Sequence, residues 1–263
     1  MKKSVIIRIL LVSLIVLIFS ANCLNIFADA KYYNWYCVHR KDHLQPRADY
    51  SISFIENYNG YYIDKKHGND SPEKVIYLTF DAGYENGNVE KTLDVLKSEG
   101  VVGAFFVLGN LIEKNTELIE RMFNEGHLVC NHTYSHKSMV GKTKDEISYE
   151  LERLEDICIE KTGKSMSKYY RPPEGKFDEQ SMQYINELGY KTVFWSFAYA
   201  DWDNNKQMSL DNAKKKILDN IHNGEVMLLH PTSATNAAIL KDIIVELKNQ
   251  GYRFGNLDEL CKD

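Results

Sequence analysis

From Val75 to Gly251 the apolar residues of this chain fall into two alternating rhythms. Stretches such as Thr116 to Glu125 and Asp178 to Leu188 mix apolar and charged residues at helical spacing, the mark of a helix with one buried face. Between such stretches come short, nearly unbroken apolar or aromatic runs: Val75 to Phe80, Gly103 to Leu108, His127 to Cys130, Tyr169-Tyr170, Thr192 to Phe197 and Glu225 to Leu229. Runs of this length, rich in β-branched and aromatic residues, predict strands buried on both faces. Gly100, Gly126, Gly163, Gly189, Gly224 and Gly251 each follow a helical stretch, where a left-handed residue stops a helix. Strand and helix alternating every 25 to 37 residues or so predict βα units around a parallel sheet.

The ends of the chain read differently. Residues 31–74 show no clean period and open on Tyr32-Tyr33-Asn34-Trp35-Tyr36. They predict an aromatic-rich, irregular arm packed on the domain at 75–263, its tyrosines used for packing or to line a sugar-binding rim. Residues 1–30 begin with Lys2, Lys3 and Arg8, run apolar from Ile9 to Phe19 apart from Ser13, and reach Ala28-Asp29-Ala30. This is the pattern of a signal peptide cleaved after Ala30; the alternative is an anchor that tethers the protein through residues 4–21. Either reading exports the protein to the cell wall or the outer face of the membrane.

Length and charge narrow the class. A chain of 263 residues suffices for one sizeable core. Removing 1–30 takes away three of 32 basic and one of 37 acidic residues, so the net charge moves from −5 to −7. No basic footprint for nucleic acid remains. Cys37, Cys130, Cys158 and Cys261 have irregular spacing, and two lie inside apolar stretches, so mostly free, buried thiols are expected.

Chemistry collects where the predicted strands end. Asp81 closes the first, His132 and His136 follow the third, Arg171-Pro172-Pro173-Glu174-Gly175 follows the fourth, Asp201 comes after the fifth and His230 ends the sixth. A barrel gathers all such ends around one mouth, whereas a flat sheet gathers only those near its switch point. The fold class is therefore α/β, an irregular (β/α) barrel of seven or eight units. His132 and His136, set four apart, share a face if they lie on a helix, with Asn131 as its cap, and can then bind one metal. The rival pair His39 and His43 follows no strand and sits beside Arg40 and Lys41, so it reads as surface. Two prolines stiffen the loop that carries Arg171, which can hold a carboxylate and present a backbone N–H to an oxyanion. Asp201 can orient His230, and Trp202 offers an apolar wall or a sugar platform.

These residues, in this order, resemble the five motifs of the polysaccharide deacetylases (NodB homology, carbohydrate esterase family 4), over about residues 75–260. Asn34-Trp35-Tyr36, Tyr84-Glu85-Asn86-Gly87, Phe194-Trp195-Ser196-Phe197-Ala198 and the run from His230 through Asn236-Ala237 further resemble its PdaA-type muramic δ-lactam branch. The resemblance implies a peptidoglycan N-deacetylase that removes the acetyl group of peptide-stripped N-acetylmuramic acid, a step toward the spore-cortex δ-lactam. It implies Asp81 as general base, Arg171 as its clamp, and His132 and His136 as ligands of a divalent metal, expected to be zinc. It implies His230 as the acid tuned by Asp201, the backbone of Glu174 at the oxyanion, and Leu228 beside the acetyl methyl. The partner is the glycan strand of peptidoglycan, bound by a monomer. One position departs from the family: Ala82 stands where most members have a second Asp that completes the metal site, so the metal should be held weakly. Cys130, two residues before His132, is a thiol that could stand in. Two other classes remain: a catalytically impaired glycan-binding module of the same fold, and a glycosidase pairing Asp81 with Glu174 or Asp201.

Overall fold

The computed structural model describes residues 31–40 and 42–262, and from Tyr32 onward the chain forms one compact unit. The candidate signal or anchor at 1–30 lies outside the described residues. At the centre is β3 (Lys74–Ala82), whose side chains alternate between two apolar layers. Val75 and Tyr77 face inward with Phe106, Val193 and Val226, while Ile76, Leu78 and Phe80 face the helices outside. Burial on both faces is why this run lacks a polar alternation.

Parallel strands flank β3 on both edges. β9 (Glu225–Leu229) pairs along Ile76–Phe80, β4 (Ala104–Val107) along Thr79–Ala82, and β10 (Tyr252–Gly255) along Lys74–Tyr77. From β4 the sheet continues through β5 (Leu128–Asn131), β6 (Ser167–Tyr170) and β8 (Lys191–Val193) to β2 (Gly60–Tyr61), every ladder parallel. Isolated bridges, Phe197 to Met227 and Ile63 to Glu225, bring the far side back to β9. The eight-stranded sheet is thus an irregular (β/α) barrel, the class the alternation predicts.

Among the described residues seven helices interleave with these strands on the outside: α1 (Val89–Glu99), α2 (Gly109–Lys114), α3 (Thr116–Asn124), α4 (Lys144–Thr162), α5 (Glu179–Glu187), α6 (Leu210–Asn220) and α7 (Ala234–Asn249). A short last helix, α8 (Leu257–Leu260), sends Leu257 and Leu260 into the inner layer. Gly100 and Gly163 cap α1 and α4 in the left-handed conformation, as their positions predict. Gly224 does not stop a helix, because α6 ends at Asn220. It serves a close approach instead, since a Cβ there would sit 2.5 Å from the carbonyl oxygen of Asp64.

The residues before β3 are more regular than their sequence suggests. β1 (Tyr33–Asn34) pairs antiparallel with β7 (Lys176–Phe177), a 3-10 helix spans Tyr50–Tyr58, and β2 joins the main sheet. Trp35, Ile52, Ile55, Phe177 and Phe194 make a core of their own, with Trp35 stacked 4.3 Å from Phe194. Of the rival histidines, His43 is exposed and His39 is half-buried against Phe197. Cys37, Cys130 and Cys158 are free thiols, the last two buried. Among the described residues no helix is long and apolar enough to cross a membrane.

Candidate active site

The carboxyl ends of the strands surround a cleft of about 700 Å³ whose lining includes Asp81, His132, His136, Glu174, Leu228 and His230. Trp202, 60% exposed, stands at its rim. Arg171 and Asp201 lie behind this lining, buried, each holding a cleft residue. Every candidate residue read from the sequence is therefore in the cleft or in contact with a residue that is.

Asp81 comes from the last turn of side-chain alternation in β3, which aims it inward. Arg171 Nη1 donates to its Oδ1 at 2.9 Å. The rest of the guanidinium is spoken for: Nε donates to the Val193 carbonyl at 2.9 Å, and Nη2 to Thr79 Oγ1 at 2.9 Å and the Phe194 carbonyl at 3.1 Å. Its plane lies over Phe106, 4.1 Å from the ring centre. A fully buried cation is tolerable because each of its three nitrogens donates at least one hydrogen bond and a carboxylate faces it. Burial disfavours ionised Asp81, but the charge of Arg171, aided by His132 and His230, holds its carboxyl below the usual carboxylate range. Thr79, which the sequence did not single out, anchors this pair by donating its hydroxyl to Met227 O at 2.8 Å.

His132 and His136 do come together, with ring centres 4.9 Å apart, but not on a helix. Residues 132–136 form a loop in which Thr133 and His136 are left-handed, at φ 67° and 58°. Asn131 ends β5 rather than capping a helix: its Oδ1 accepts from Thr133 N at 2.9 Å, and its Nδ2 donates to Leu151 O. That side-chain turn diverts the backbone from the helical path. His132 Nδ1 donates to the Arg171 carbonyl at 2.9 Å, and burial pushes its pKa down to about 4. The neutral ring therefore turns the lone pair of Nε2 toward Asp81 Oδ2, 3.5 Å away. Two facing acceptors call for a cation or a donor between them, and a divalent ion on His132 and His136 fits that need. The site is thin. Among the described residues no group of three or more His, Cys, Asp or Glu side chains is arranged to hold a metal. Ala82 has no donor atom and shares the outer apolar layer with Leu78 and Phe80. Cys130 does not replace it, because it faces the inner apolar layer, where burial pushes its thiol pKa well up.

On the other side of the cleft, His230 Nδ1 donates to Asp201 Oδ1 at 2.7 Å, and its backbone N–H donates to Asp201 Oδ2 at 2.8 Å. Burial opposes charge on the ring, yet Asp201, through hydrogen bond and charge, and Asp81 together raise its pKa. Glu174 sits in a 3-10 turn, Pro173–Gly175, with a left-handed φ of 56°. Its carboxylate pairs with Lys176 at 2.5 Å. Gly175 must be glycine: its φ is 66°, and a Cβ would come within 2.9 Å of Trp195. Trp195, Tyr199 and Tyr84 complete the wall, and only the aromatic content of their segments hinted at this.

A second constellation has the outline of a nucleophilic triad. Ser196 Oγ lies 2.9 Å from His222 Nε2, and His222 Nδ1 lies 3.1 Å from Glu225 Oε2. All three are buried, at 2% exposure or less, and Glu225 begins the strand that His230 follows. The group gathers at the start of β9, the opposite end of that strand from His230.

Comparison with known proteins agrees with this geometry. The polysaccharide deacetylase family matches residues 68–193. The peptidoglycan-N-acetylmuramic acid deacetylase PdaA of Bacillus subtilis is 42% identical over 228 residues, 86% of this chain and 85% of that one. A peptidoglycan-N-acetylglucosamine deacetylase of Bacillus cereus is 34% identical over 189 residues, 70% of this chain and 67% of its own. The solved structure of Bacillus subtilis PdaA, described as a family 4 carbohydrate esterase, superposes with a TM-score of 0.82 at 41% identity, covering 88% of this chain and 97% of that one. The chain belongs to the polysaccharide deacetylases, the family 4 carbohydrate esterases, hydrolases that act on carbon–nitrogen bonds.

Proposed function

We propose that this protein is an extracytoplasmic peptidoglycan N-deacetylase acting on N-acetylmuramic acid residues of glycan strands stripped of stem peptide, a step toward the muramic δ-lactam of spore cortex. The observation that carries the reading is the placement of two tuned groups on one cleft: an ionised carboxylate clamped by Arg171, and an imidazole whose proton is held by Asp201. The muramic substrate rests on greater likeness to the muramic acid enzyme than to the glucosamine enzyme. Residues 31–74 would form one wall of the catalytic domain at 75–263, and 1–30 would export or tether it.

Amide hydrolysis needs an activated water, a partner for the oxyanion and an acid for the poor nitrogen leaving group. Asp81, kept ionised by Arg171, takes a proton from the water that attacks the acetyl carbonyl. The backbone N–H of Glu174 stabilises the oxygen that becomes negative. His230 then gives its proton to the departing nitrogen, so that free acetate and an amine result. Leu228 bounds the space for the acetyl methyl, and Trp202 offers a sugar its face. A divalent ion held by His132 and His136 would polarise the carbonyl and acidify water when bound.

Ala82 and the lack of a third metal donor among the described residues favour a second reading, an impaired glycan-binding module. Acetate release from peptide-stripped glycan decides between them, assayed with added zinc, with chelator and with Asp81→Asn. Release that needs both metal and Asp81 is the expected result. Glycan binding without acetate at any metal concentration, on peptide-free and peptide-bearing glycan alike, would replace the enzyme by the module.

A further inference from the structure

Asp201 accepts a third hydrogen bond that the roles above do not use. Asn236 Nδ2 donates to Asp201 Oδ2 at 2.5 Å and reaches the His230 carbonyl at 3.4 Å. Its own Oδ1 accepts the hydroxyl of Tyr199. Asn236 is 4% exposed, Tyr199 6% and Asp201 2%, so water does not compete for these bonds. The amide is fixed in one orientation: turned over, its carbonyl oxygen would face the Asp201 carboxylate, acceptor against acceptor. The backbone supports the same placement. Ser233 caps α7, its Oγ accepting from Asn236 N at 3.1 Å, which puts Asn236 in the first turn, where the helix presents partial positive charge. An Asn at this point of a helix commonly serves the helix itself. Here it turns inward.

We propose that Asn236 is a positioning residue for the reaction, holding Asp201 aimed at His230, with Tyr199 locking the amide. Asp201 Oδ2 is occupied by Asn236 and the His230 backbone, which leaves Oδ1 for the imidazole N–H. The imidazole is then free to turn only its other nitrogen to the cleft. Every donor to a carboxylate also weakens it as a base. Asn236 therefore limits how tightly the Asp201–His230 pair keeps its proton, which an acid catalyst must release. The charged and titratable groups around this pair are Asp81, Arg171 and His136 on the cleft side and Tyr199 behind Asp201.

The inference rests on His230 as the acid, and two readouts separate the two. The first is titration of His230 by NMR in the whole chain, which needs no turnover. The second is the pH profile of acetate release from peptide-stripped glycan. In Asn236→Leu, close in volume and without a donor, the His230 midpoint should move to higher pH. The alkaline limb of kcat should move with it, and kcat should fall about tenfold with KM within about twofold, the loss expected for one bond to a charged group. Tyr199→Phe keeps the packing and should move the midpoint the same way by less, so it serves if the leucine variant does not fold. The double variant should be no worse than Asn236→Leu alone. A folded Asn236→Leu, or in its absence Tyr199→Phe, whose His230 midpoint equals that of the parent overturns the inference. If the midpoint moves but the parent releases no acetate, the hydrolytic reading falls and the clamp on Asp201 stands.

Discussion

Asp81 and His230 depart from their ordinary pKa values in directions that widen a common working range. In the proposed reaction Asp81 must be ionised, and with its pKa depressed it stays so until the pH falls below the usual carboxylate range. His230 must be protonated, and with its pKa raised it stays so above the ordinary imidazole value of about 6.5. Acetate release should therefore fall on the acid side through Asp81 and on the alkaline side through His230. His230→Gln should lower kcat by about 10²- to 10⁴-fold and remove the alkaline limb. An alkaline limb in the parent lying below the ordinary imidazole value would contradict the assignment. The residue types of the site were legible because each stands at the end of an apolar run. Their local conformation was not. The spacing of His132 and His136 suits a helix, but the Asn131 side chain captures the Thr133 N–H before a helical turn can form.

At the level of elements, strain gathers beside the cleft. Of the five non-glycine residues with positive φ among the described residues, Thr133, His136 and Glu174 lie in its loops. The turn at Gly175 is the most exacting, since φ and space both demand glycine. Gly175→Ala should lower stability by about 2 kcal/mol or more through left-handed strain and the clash with Trp195. It should raise KM as that wall shifts, and a denaturant melt with a substrate titration would show both. Helix ends were legible where a left-handed glycine does the capping. Gly224 misled because it answers to the neighbouring Asp64 carbonyl, a long-range contact invisible in sequence. The strand at Tyr252–Gly255 was missed: it is four residues long, half of them partly exposed, with Arg253 in the middle. At Thr192 to Phe197 the aromatic run outlasted the regular strand: Lys191–Val193 form it, Phe197 keeps an isolated bridge to Met227, and Phe194 and Phe197 fill separate cores.

For the whole molecule, the barrel was legible because five strand ends carry reactive residues, which a flat sheet would scatter. The strand Gly60–Tyr61 was not, as two residues show no period. Both candidate metal ligands belong to one short loop, so an ion there would organise that loop and, beyond it, face only Asp81, which Arg171 already holds. Chelation should abolish acetate release yet leave the thermal midpoint nearly unchanged, and a large drop in that midpoint would show a structural metal instead. The Asp81–Arg171 pair has the opposite character. Because the carboxyl pKa is depressed in the fold, its stabilisation is complete above the unfolded carboxylate pKa and is lost as the pH falls through the folded one. Asp81→Leu leaves Arg171 buried without its counter-charge and should cost about 3 kcal/mol, whereas the double change with Arg171→Met should recover part of that in the same urea titration. Asp81 and Arg171 are thus bound to each other by stability, whatever chemistry they share. A descendant that abandons hydrolysis by losing Asp81 alone strands a cation in its core, so lineages of this fold that drift toward mere binding should discard both residues or neither.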